Sequence, residues 1–291
     1  MKWIVTGSEG QLGIAIADEL RKSETPFEEW NRSDLDLFDL DKISKKISQT
    51  KPTVVINCAA WTNVDSAEDN YDQADLVNNL AVGVLAEAAK NIGARFVQIS
   101  SDYVFSGEKM SGYGTSDHTD PINKYGLSKA NGEKRVIEVY PGGSYIFRTA
   151  WLYGPAGKNF CKTILKRAIF DSNEIQVVND QIGQPTCTVD LAIQIIKTVQ
   201  FSAAPGIYHS TNSGQASWYQ FARKILLLAK EDVARVVPVT SHVFNSPAKR
   251  PAFSVLSNEK WSDVGLDPMC DWELALERIF PNILESVKVG A

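Results

Sequence analysis

Cysteine is scarce in this chain, and basic runs are absent. The 291 residues include four cysteines, Cys58, Cys161, Cys187 and Cys270, and no two of them form a C-x-x-C pair. This spacing predicts neither a disulfide framework nor a zinc site, so we expect buried, reduced thiols. The net charge is −5, and lysine and arginine form no run longer than two residues, as in the short "AKR" before Pro251. These features argue against a nucleic-acid-binding protein.

Long apolar runs are missing as well. No window reaches the roughly 18 apolar residues that span a bilayer, and the chain opens as a strand, "KWIVTG", without a charged leader. We therefore expect a soluble, cytoplasmic protein with no membrane partner. No internal repeat, low-complexity tract or flexible linker interrupts the sequence. An ordinary apolar fraction of 44% indicates a folded chain with a full core.

Strand and helix patterns alternate in the first half of the chain. Residues 2–6 are β-prone, and Leu12, Ile16 and Leu20 then recur at helical spacing. The same alternation continues through "TVVINCAA", "ADLVNNLAVGVLAEAAKN" and "ARFVQISS". Strands that are apolar throughout predict a parallel sheet covered on both faces. The fold class expected is α/β, with a Rossmann-type doubly wound parallel sheet.

The second half has a more mixed pattern and predicts a smaller, mixed α/β lobe that binds substrate. We assign residues 1–150, with about 179–202, to an NAD(P)-binding Rossmann domain. The segments of about 151–178 and 203–291 are assigned to a discontinuous substrate-binding lobe. Since no linker separates the two, we expect them to pack closely.

A glycine-rich turn follows the first strand. In "TGSEGQLG", Gly7, Gly10 and Gly13 have G-x-x-G-x-x-G spacing and open the first helix. Glycines there allow a tight turn and let backbone amides approach a pyrophosphate, which the helix N-terminus attracts. A ligand-free loop would have the same glycines, but the order strand, turn, helix favours a dinucleotide.

The end of the second strand bears on which dinucleotide is bound. An acidic residue there would accept a hydrogen bond from the 2′-hydroxyl of NAD, whereas this chain has Asn31 and Arg32. A positive charge suits a 2′-phosphate, so we expect NADPH, with NADH as the alternative donor. Arg32 is also compatible with a role as a solvated surface arginine.

The stretch "YGLSK" places Tyr125 and Lys129 one helical turn apart, on the same face. Such pairs are common on helices, but "ISSDYVFSG" ends another strand of the same sheet with Ser101, at the edge where a ligand is expected. A neighbouring ammonium lowers the pKa of a phenol, and a serine hydroxyl stabilises a carbonyl oxygen that gains charge. Ser101, Tyr125 and Lys129 therefore predict carbonyl reduction.

These motifs together resemble the extended short-chain dehydrogenase/reductase family, and within it the dTDP-4-dehydrorhamnose reductases. The likeness covers nearly the whole chain and includes "GSEGQLG", "VVINCAAWTNVDSAE", "SSDYVFSG", "PINKYGLSKANGEK", "FRTAWLYG", "NDQIGQPT" and "AKRP". The resemblance implies reduction of the 4-keto group of a dTDP-4-keto-6-deoxy sugar by NAD(P)H. It implies dTDP-L-rhamnose as the product and a monomeric or homodimeric enzyme.

The resemblance also implies the residues of the site. Ser101 matches the hydroxyl position, Tyr125 the general acid and Lys129 the ribose-binding helper. The remaining cofactor residues implied are Gly7, Gly10, Gln11, Leu12, Gly13, Asp36, Leu37, Cys58, Ala59, Ala60 and Asn78. The substrate residues implied are Thr62, Val64, Ser101, Asp102, Tyr103, Trp151 and Arg250, with Arg250 near the diphosphate.

Several positions depart from the family pattern. Gly114 and Thr115 follow Tyr113 where a glutamate is usual, Trp61 stands where a smaller residue is common, and Asn131 replaces an alanine or proline. These changes put the exact sugar in doubt more than the reaction. Some relatives join subunits through metal-bound glutamates, but the first helix has Ile14 and Ala15 there, so we predict no metal.

Three other functions share some of these motifs. A dehydratase needs an Asp-Glu acid pair after the fourth strand, and here Tyr103 follows Asp102. An epimerase is not excluded by the sequence. A non-catalytic subunit, like the β subunit of methionine adenosyltransferase, keeps the tyrosine and lysine without turnover. Trp151 and "NDQIGQPT" belong to the sugar side of the cleft and favour the reductase.

Overall fold

The computed structural model describes residues 2–289, which form strands and helices along the whole chain. The strands are β1 Trp3–Thr6, β2 Phe27–Trp30, β3 Val54–Asn57, β4 Arg95–Ser101, β5 Ser144–Thr149, β6 Leu152–Tyr153, β7 Ile175–Val178, β8 Ile182–Gly183, β9 Thr186–Cys187, β10 Gly206–His209, β11 Ala216–Ser217 and β12 Val236–Val239. The α-helices are α1 Gln11–Lys22, α2 Leu40–Thr50, α3 Ser66–Asp69, α4 Tyr71–Asp75, α5 Ala81–Asn91, α6 Lys124–Val139, α7 Phe160–Phe170, α8 Thr188–Gln200, α9 Trp218–Ala229, α10 Lys260–Asp263 and α11 Trp272–Val289.

Six strands form one parallel sheet in the order β10-β5-β4-β3-β1-β2. The chain reverses direction of winding between β1 and β3, because β2 lies on one side of β1 and β3 on the other. At such a point the loops after the two strands diverge and leave a crevice at their carboxyl ends. The predicted Rossmann-type doubly wound sheet is confirmed.

Helices cover both faces of this sheet, which explains why the inner strands β1 and β3 are buried along their whole length. On one face, Ile16 and Leu20 of α1 pack with Leu191 and Ile195 of α8. On the other face, α2 and α5 contribute a second buried cluster. The apolar stripe of α1 is thus the one that the sequence spacing predicts.

The smaller lobe is built on the parallel pair β7–β12 and the helices α7, α9 and α11. Phe221 of α9 and Leu276 of α11 are fully buried in its core. A capping box at Ser217 and Gln220 begins α9, since each side chain bonds the other residue's backbone N–H. Within residues 2–289 no helix combines the length and the apolarity that crossing a membrane requires.

Two short strands lie elsewhere than the sequence assignment put them. Strand β10 falls in the segment assigned to the smaller lobe, but it pairs with β5 as the edge of the main sheet. Strand β8 falls in the segment assigned to the Rossmann domain, but it pairs with β11. Strands this short have no flanking pattern that reports their partners, so their pairing could not be predicted from the sequence. The division into two domains itself stays a prediction.

Candidate active site

The glycine turn closes tightly over the crevice between β1 and β3. Gly7 has a left-handed φ of +62°, and a Cβ atom there would lie 2.6 Å from the backbone nitrogen of Ala59. A Cβ on Gly13 would meet the Gly7 carbonyl oxygen and lie 2.8 Å from Ser8 Cα. Both positions therefore require glycine so that the turn, α1 and the loop after β3 can approach one another.

The N-terminus of α1 is open to an anion. Gly10 precedes the helix in an extended conformation, no side chain caps the first turn, and that turn has no acidic residue. Gly10 and the first residues of α1 line a cleft of about 510 Å³, here called the central cleft, into which the loops after β3, β4 and β5 also converge. The buried Thr149 hydroxyl at the end of β5 has no hydrogen-bond partner. Uncapped amides and an unsatisfied hydroxyl fit the phosphates and polar groups of a dinucleotide.

A second cleft, the edge cleft, lies beside β2 and has a volume of about 500 Å³. Asn31 donates to Glu9 Oε1 at 3.0 Å, and Arg32 lies 3.6 Å from Asp36 Oδ2. The Arg32 side chain is 77% exposed, so its charge is free to meet a ligand phosphate. Residues that line this cleft and were assigned to the cofactor are Gly7, Gly10, Asn31, Arg32, Asp36, Leu37, Cys58, Ala59 and Ala60.

The residues assigned to chemistry meet in the central cleft. Ser101 ends β4, while Tyr125 and Lys129 lie on the first two turns of α6. Asn123 fixes the start of α6 by accepting a hydrogen bond from Gly126 N at 2.7 Å. Residues of the assigned set that line the central cleft are Gly10, Gln11, Leu12, Gly13, Cys58, Ala59, Ala60, Thr62, Ser101, Asp102, Tyr125, Lys129 and Trp151.

The electrostatics of Tyr125 and Lys129 differ from the sequence expectation. Burial raises the pKa of Tyr125 to about 12, whereas we expected the neighbouring ammonium to lower it. Lys129 is 4% exposed and donates through Nζ to the Ile99 carbonyl at 2.6 Å. Burial also lowers the pKa of Lys129 to about 8, against an opposing effect of Glu133. The expectation was wrong because the cost of burying a charged phenolate outweighs the stabilisation that the Ser101 hydroxyl gives it. Tyr125 is thus a neutral phenol, the state that a proton donor requires.

A buried ion pair supports this part of the cleft from behind. Arg148 on β5 contacts both carboxylate oxygens of Glu133 on α6, at 2.6 Å for its closest nitrogen. Glu133 also accepts a hydrogen bond from Ser100 on β4. The ring of Phe105 lies against the Arg148 guanidinium. Together these contacts fix α6, and with it Tyr125 and Lys129, against strands β4 and β5.

Asp102 lies beside Ser101 and is almost completely buried, with 2% of its surface exposed. Ser101 Oγ donates to Asp102 Oδ1 at 3.0 Å, and Ser254 Oγ donates to Asp102 Oδ2 at 2.6 Å. The Tyr103 backbone N–H donates in turn to Ser101 Oγ at 3.2 Å. Burial raises the pKa of Asp102 to about 6, despite the hydrogen bonds from Ser254 and Ser101.

Trp151 forms a wall of the central cleft in a strained backbone conformation. The backbone φ of Trp151 is +46°, which is rare for a residue with a bulky side chain. Trp151 lies between the end of β5 and the start of β6. One face of the indole stacks on Trp218, with ring centroids 3.6 Å apart. A Cβ on Gly183 would lie 2.6 Å from Trp151 Cε2, so the ring is packed tightly. The extended backbone of β5 is therefore interrupted before β6 begins.

A third cleft, the lobe cleft, opens between the sheet and the smaller lobe, with a volume of about 780 Å³. Tyr103 and Arg250 line it, together with the cations Arg167 and Lys249. Arg250 bonds Asp65 Oδ2 at 2.8 Å, so it is paired rather than free. The apolar walls of the lobe cleft include Phe160, Val177, Trp218 and Phe244. A cationic and partly apolar cleft suits a phosphorylated ligand with a planar base.

Two assigned residues line none of the three clefts. Asn78 is buried and holds the loop after β3, because its side chain exchanges hydrogen bonds with the backbone of Trp61 and also donates to Ser128 Oγ. Val64 is half-buried in the next part of that loop. In this structure Asn78 therefore supports the cleft from outside.

The unusual residues Trp61 and Asn131 also stabilise the surrounding structure. Trp61 lines the edge cleft and donates through Nε1 to the Asn63 carbonyl at 3.1 Å. Asn131 donates to Tyr71 Oη at 3.2 Å and to Asp75 Oδ1 at 3.1 Å, which ties α6 to α4.

Sequence reasoning missed several residues of the clefts. Glu9, Thr149 and Lys158 line the central cleft, and Trp218 lines the lobe cleft. Thr149 had a usable signal, since it ends β5 beside Ser101 in the sheet register. Ser254 had none, because it lies far along the chain in an irregular segment.

Helix α1 has no carboxylate in its first turn that could bind a metal between subunits. Among the side chains of residues 2–289, no three or more His, Cys, Asp or Glu are grouped so that they could hold an ion. Ile14 and Ala15 occupy the first turns of α1. The absence of a metal stays a prediction.

The chain is similar to known proteins along nearly its whole length. The family model described as the RmlD substrate binding domain matches residues 1–284. The dTDP-4-dehydrorhamnose reductase of Streptomyces griseus is 39% identical, over 97% of this chain and 94% of its own. The dTDP-4-keto-6-deoxy-D-glucose reductase of Streptomyces niveus is also 39% identical, over 96% of each chain.

A solved structure has the same architecture. The dTDP-4-dehydrorhamnose reductase of Bacillus anthracis, in complex with NADP, is 38% identical and superimposes with a TM-score of 0.92. The match covers 96% of this chain and 98% of that one. Combined with the cleft and its residues, these similarities show that the chain belongs to the RmlD substrate binding domain family, whose relatives named above are reductases.

Proposed function

We propose that this protein reduces the 4-keto group of a dTDP-4-keto-6-deoxy sugar, with dTDP-4-dehydro-L-rhamnose as its substrate and Tyr125 as its proton donor. One observation carries the proposal. Ser101, Tyr125, Lys129 and Trp151 line the same cleft as the uncapped N-terminus of α1. A hydride donor held at the glycine turn and a sugar beside Trp151 would therefore share one space.

NADPH, when bound, supplies the hydride that attacks the carbonyl carbon. The backbone amides at the start of α1 would hold its pyrophosphate, and the edge cleft would hold its adenosine. Arg32 would bind the 2′-phosphate, since its side chain is exposed beside that cleft. The NADP complex of the Bacillus anthracis relative supports this choice over NADH.

Three side chains of the chain support the reduction, two of them at the carbonyl oxygen. Ser101 donates a hydrogen bond to it, which favours the negative charge that develops there. Tyr125 gives its proton to the same oxygen, and its raised pKa keeps the phenol protonated until that step. Lys129, one helical turn along, then favours the phenolate that remains. The product is a 4-hydroxyl group, formed from one hydride and one proton.

The lobe cleft suits the nucleoside diphosphate of the substrate. Arg250, Arg167 and Lys249 line it and provide charge for the phosphates. Trp218 borders the lobe cleft and stacks on Trp151 of the central cleft, so the two indoles separate the proposed sugar and nucleotide ends. This arrangement supports a substrate that spans both clefts.

The choice of sugar rests on the relatives. Two of them share 39% identity with this chain, and their names give different sugars, 4-dehydrorhamnose and 4-keto-6-deoxy-D-glucose. To decide, the purified protein is mixed with NADPH and each dTDP-sugar, and the loss of nicotinamide absorbance is followed. We expect kcat/KM for dTDP-4-dehydro-L-rhamnose to exceed that for the D-glucose derivative by about tenfold or more.

A reversed preference in this assay would reject L-rhamnose but keep the reductase. If NADPH bound tightly and neither sugar were reduced, the catalytic proposal would fail, and a non-catalytic binding subunit would explain the fold better. Identification of the product by its proton spectrum would give the configuration at the reduced carbon.

A further inference from the structure

Asp102 has no role in the reaction described so far, although it touches Ser101. Its carboxylate is buried, and both oxygens accept hydrogen bonds from serine hydroxyls, Ser101 on one side and Ser254 on the other. The sequence resemblance implied that Asp102 contacts substrate. With both oxygens engaged by the protein, the carboxylate instead acts on the hydroxyl beside it.

A serine hydroxyl has one proton to donate. In this structure Ser101 gives that proton to Asp102, and the Tyr103 N–H occupies one of its lone pairs. Ser101 therefore cannot donate to a substrate carbonyl while it donates to an ionised Asp102. If Ser101 turned away, a buried carboxylate oxygen would lose its donor.

We infer that Asp102 is a positioning residue that acts in its protonated form, donating its own proton to Ser101 Oγ so that the Ser101 proton is free for the substrate carbonyl. This inference rests on the proposed function. In that arrangement Ser101 accepts from Tyr103 N–H and Asp102, and Ser254 still donates to the other carboxyl oxygen. The proton of Asp102 stays in place during the reaction, since Tyr125 supplies the one that is transferred.

The surroundings of Asp102 favour its neutral form. The titratable side chains near it are the phenols of Tyr103, on the same turn, and Tyr125, on α6, and neither carries a positive charge. Lys129 is directed to the Ile99 carbonyl and Arg250 to Asp65. Among residues 2–289 no lysine or arginine side chain bonds the Asp102 carboxylate. Burial raises the pKa of Asp102 to about 6, which fits a carboxyl that takes up a proton easily.

An asparagine at position 102 distinguishes proton donation to Ser101 from a merely structural role of Asp102. In Asp102→Asn the amide NH2 can donate to Ser101 and the amide oxygen can accept from Ser254, as the protonated acid would. We expect the wild-type kcat/KM to fall about tenfold per pH unit above an apparent pKa near 6, and the kcat/KM of Asp102→Asn to stay flat up to about pH 7, below the Lys129 pKa of about 8. At pH 8 Asp102→Asn should equal or exceed the wild type, whereas Asp102→Ala should be severely impaired.

Two further variants complete the experiment. Asp120→Asn removes an exposed carboxylate outside the three clefts and should keep the wild-type pH profile. Ser254→Ala removes a donor that favours the ionised form, so its fall in kcat/KM should move to higher pH. The inference is overturned if Asp102→Asn is as impaired as Asp102→Ala, or if the wild-type profile is flat or rises from pH 5.5 to 8.

Each variant is first checked for NADPH binding, which reports an intact fold. If Asp102→Asn does not fold, the Ser254→Ala profile decides, and a shift to lower pH or no shift overturns the inference. Absence of turnover in the wild type would fail the proposed function itself, before any variant is compared.

Discussion

Arg32 is the side chain on which the choice of cofactor depends. It is exposed at the edge cleft and only loosely paired with Asp36, at 3.6 Å, so it can turn to a 2′-phosphate at little cost. A hydrogen bond to a charged group contributes about 1.5–3 kcal/mol. Arg32→Ala should therefore weaken NADPH binding by about tenfold to a hundredfold and leave NADH binding nearly unchanged.

Titration calorimetry with both cofactors measures this effect. Lys22→Ala, which removes a 68% exposed cation at the far end of α1, is the matched control and should bind both cofactors as the wild type does. An equal loss of affinity for NADPH and NADH in Arg32→Ala would show that the arginine does not contact the 2′-phosphate.

Asp102 makes the stability of the fold depend on pH. Its pKa is about 6 in the folded chain against an ordinary value of 3.8, so the folded state keeps this proton to higher pH than the unfolded state does. The contribution of Asp102 to the free energy of unfolding thus falls as pH rises from about 4 to 6, by at most about 3 kcal/mol. Asp102→Asn cannot titrate and lacks this loss.

Urea unfolding of the wild type and Asp102→Asn tests this sign, because the other acids contribute equally to both proteins. We expect the variant to gain stability relative to the wild type between pH 4.5 and 7.5. A difference that stays constant over this range would mean that the carboxyl titrates as it does in the unfolded chain.

The turn between β1 and α1 depends on the absence of side chains at its closest approach. A Cβ at Gly13 would run into the Gly7 carbonyl and force α1 away from the turn. Gly13→Ala should cost about 1–3 kcal/mol of stability through this overpacking. NADPH affinity should fall by tenfold or more, since the displaced helix N-terminus no longer faces the cleft.

Gly142→Ala provides the comparison, because nothing lies within 4 Å of a Cβ there. It should leave both the stability and the NADPH affinity close to those of the wild type. Wild-type affinity in Gly13→Ala would contradict the assignment of the glycine turn to the cofactor.

The contacts among β4, β5 and α6 depend on the buried ion pair of Glu133 and Arg148, whose side chains are 4% and 2% exposed. Glu133→Gln leaves the Arg148 charge buried without a counter-ion, so we expect a loss of about 3–5 kcal/mol in urea unfolding. Glu138→Gln breaks an exposed pair with Lys134, at 3.9 Å, and should change stability by less than about 1 kcal/mol. Equal effects of the two substitutions would rule out the proposed role of burial.

Across the whole molecule, the sequence predicted what local patterns encode. The glycine turn, the apolar strands and the helical spacing of Leu12, Ile16 and Leu20 each identify an element within about 20 residues, and all are confirmed. The pairing of β10 with β5 could not be predicted, because a strand of four residues has no signal for its partner.

The site shows the same limit. Ser101, Tyr125 and Lys129 were found because each follows a recognisable strand or begins a recognisable helix. Ser254, 152 residues from Asp102 in sequence, reaches it only through the tertiary fold. The pKa of Tyr125 was predicted in the wrong direction, because burial of a side chain depends on packing from all sides and not on its helical neighbour.

The most direct test of the central claim is the rate of NADPH oxidation by the wild type and by Tyr125→Phe, with dTDP-4-dehydro-L-rhamnose as substrate. The substitution removes the transferable proton and keeps the ring, so turnover should fall by about 10²–10⁴-fold while NADPH affinity stays within about twofold. If the wild type oxidises NADPH and Tyr125→Phe does so at the same rate, the account is contradicted, because the proton would then come from another group.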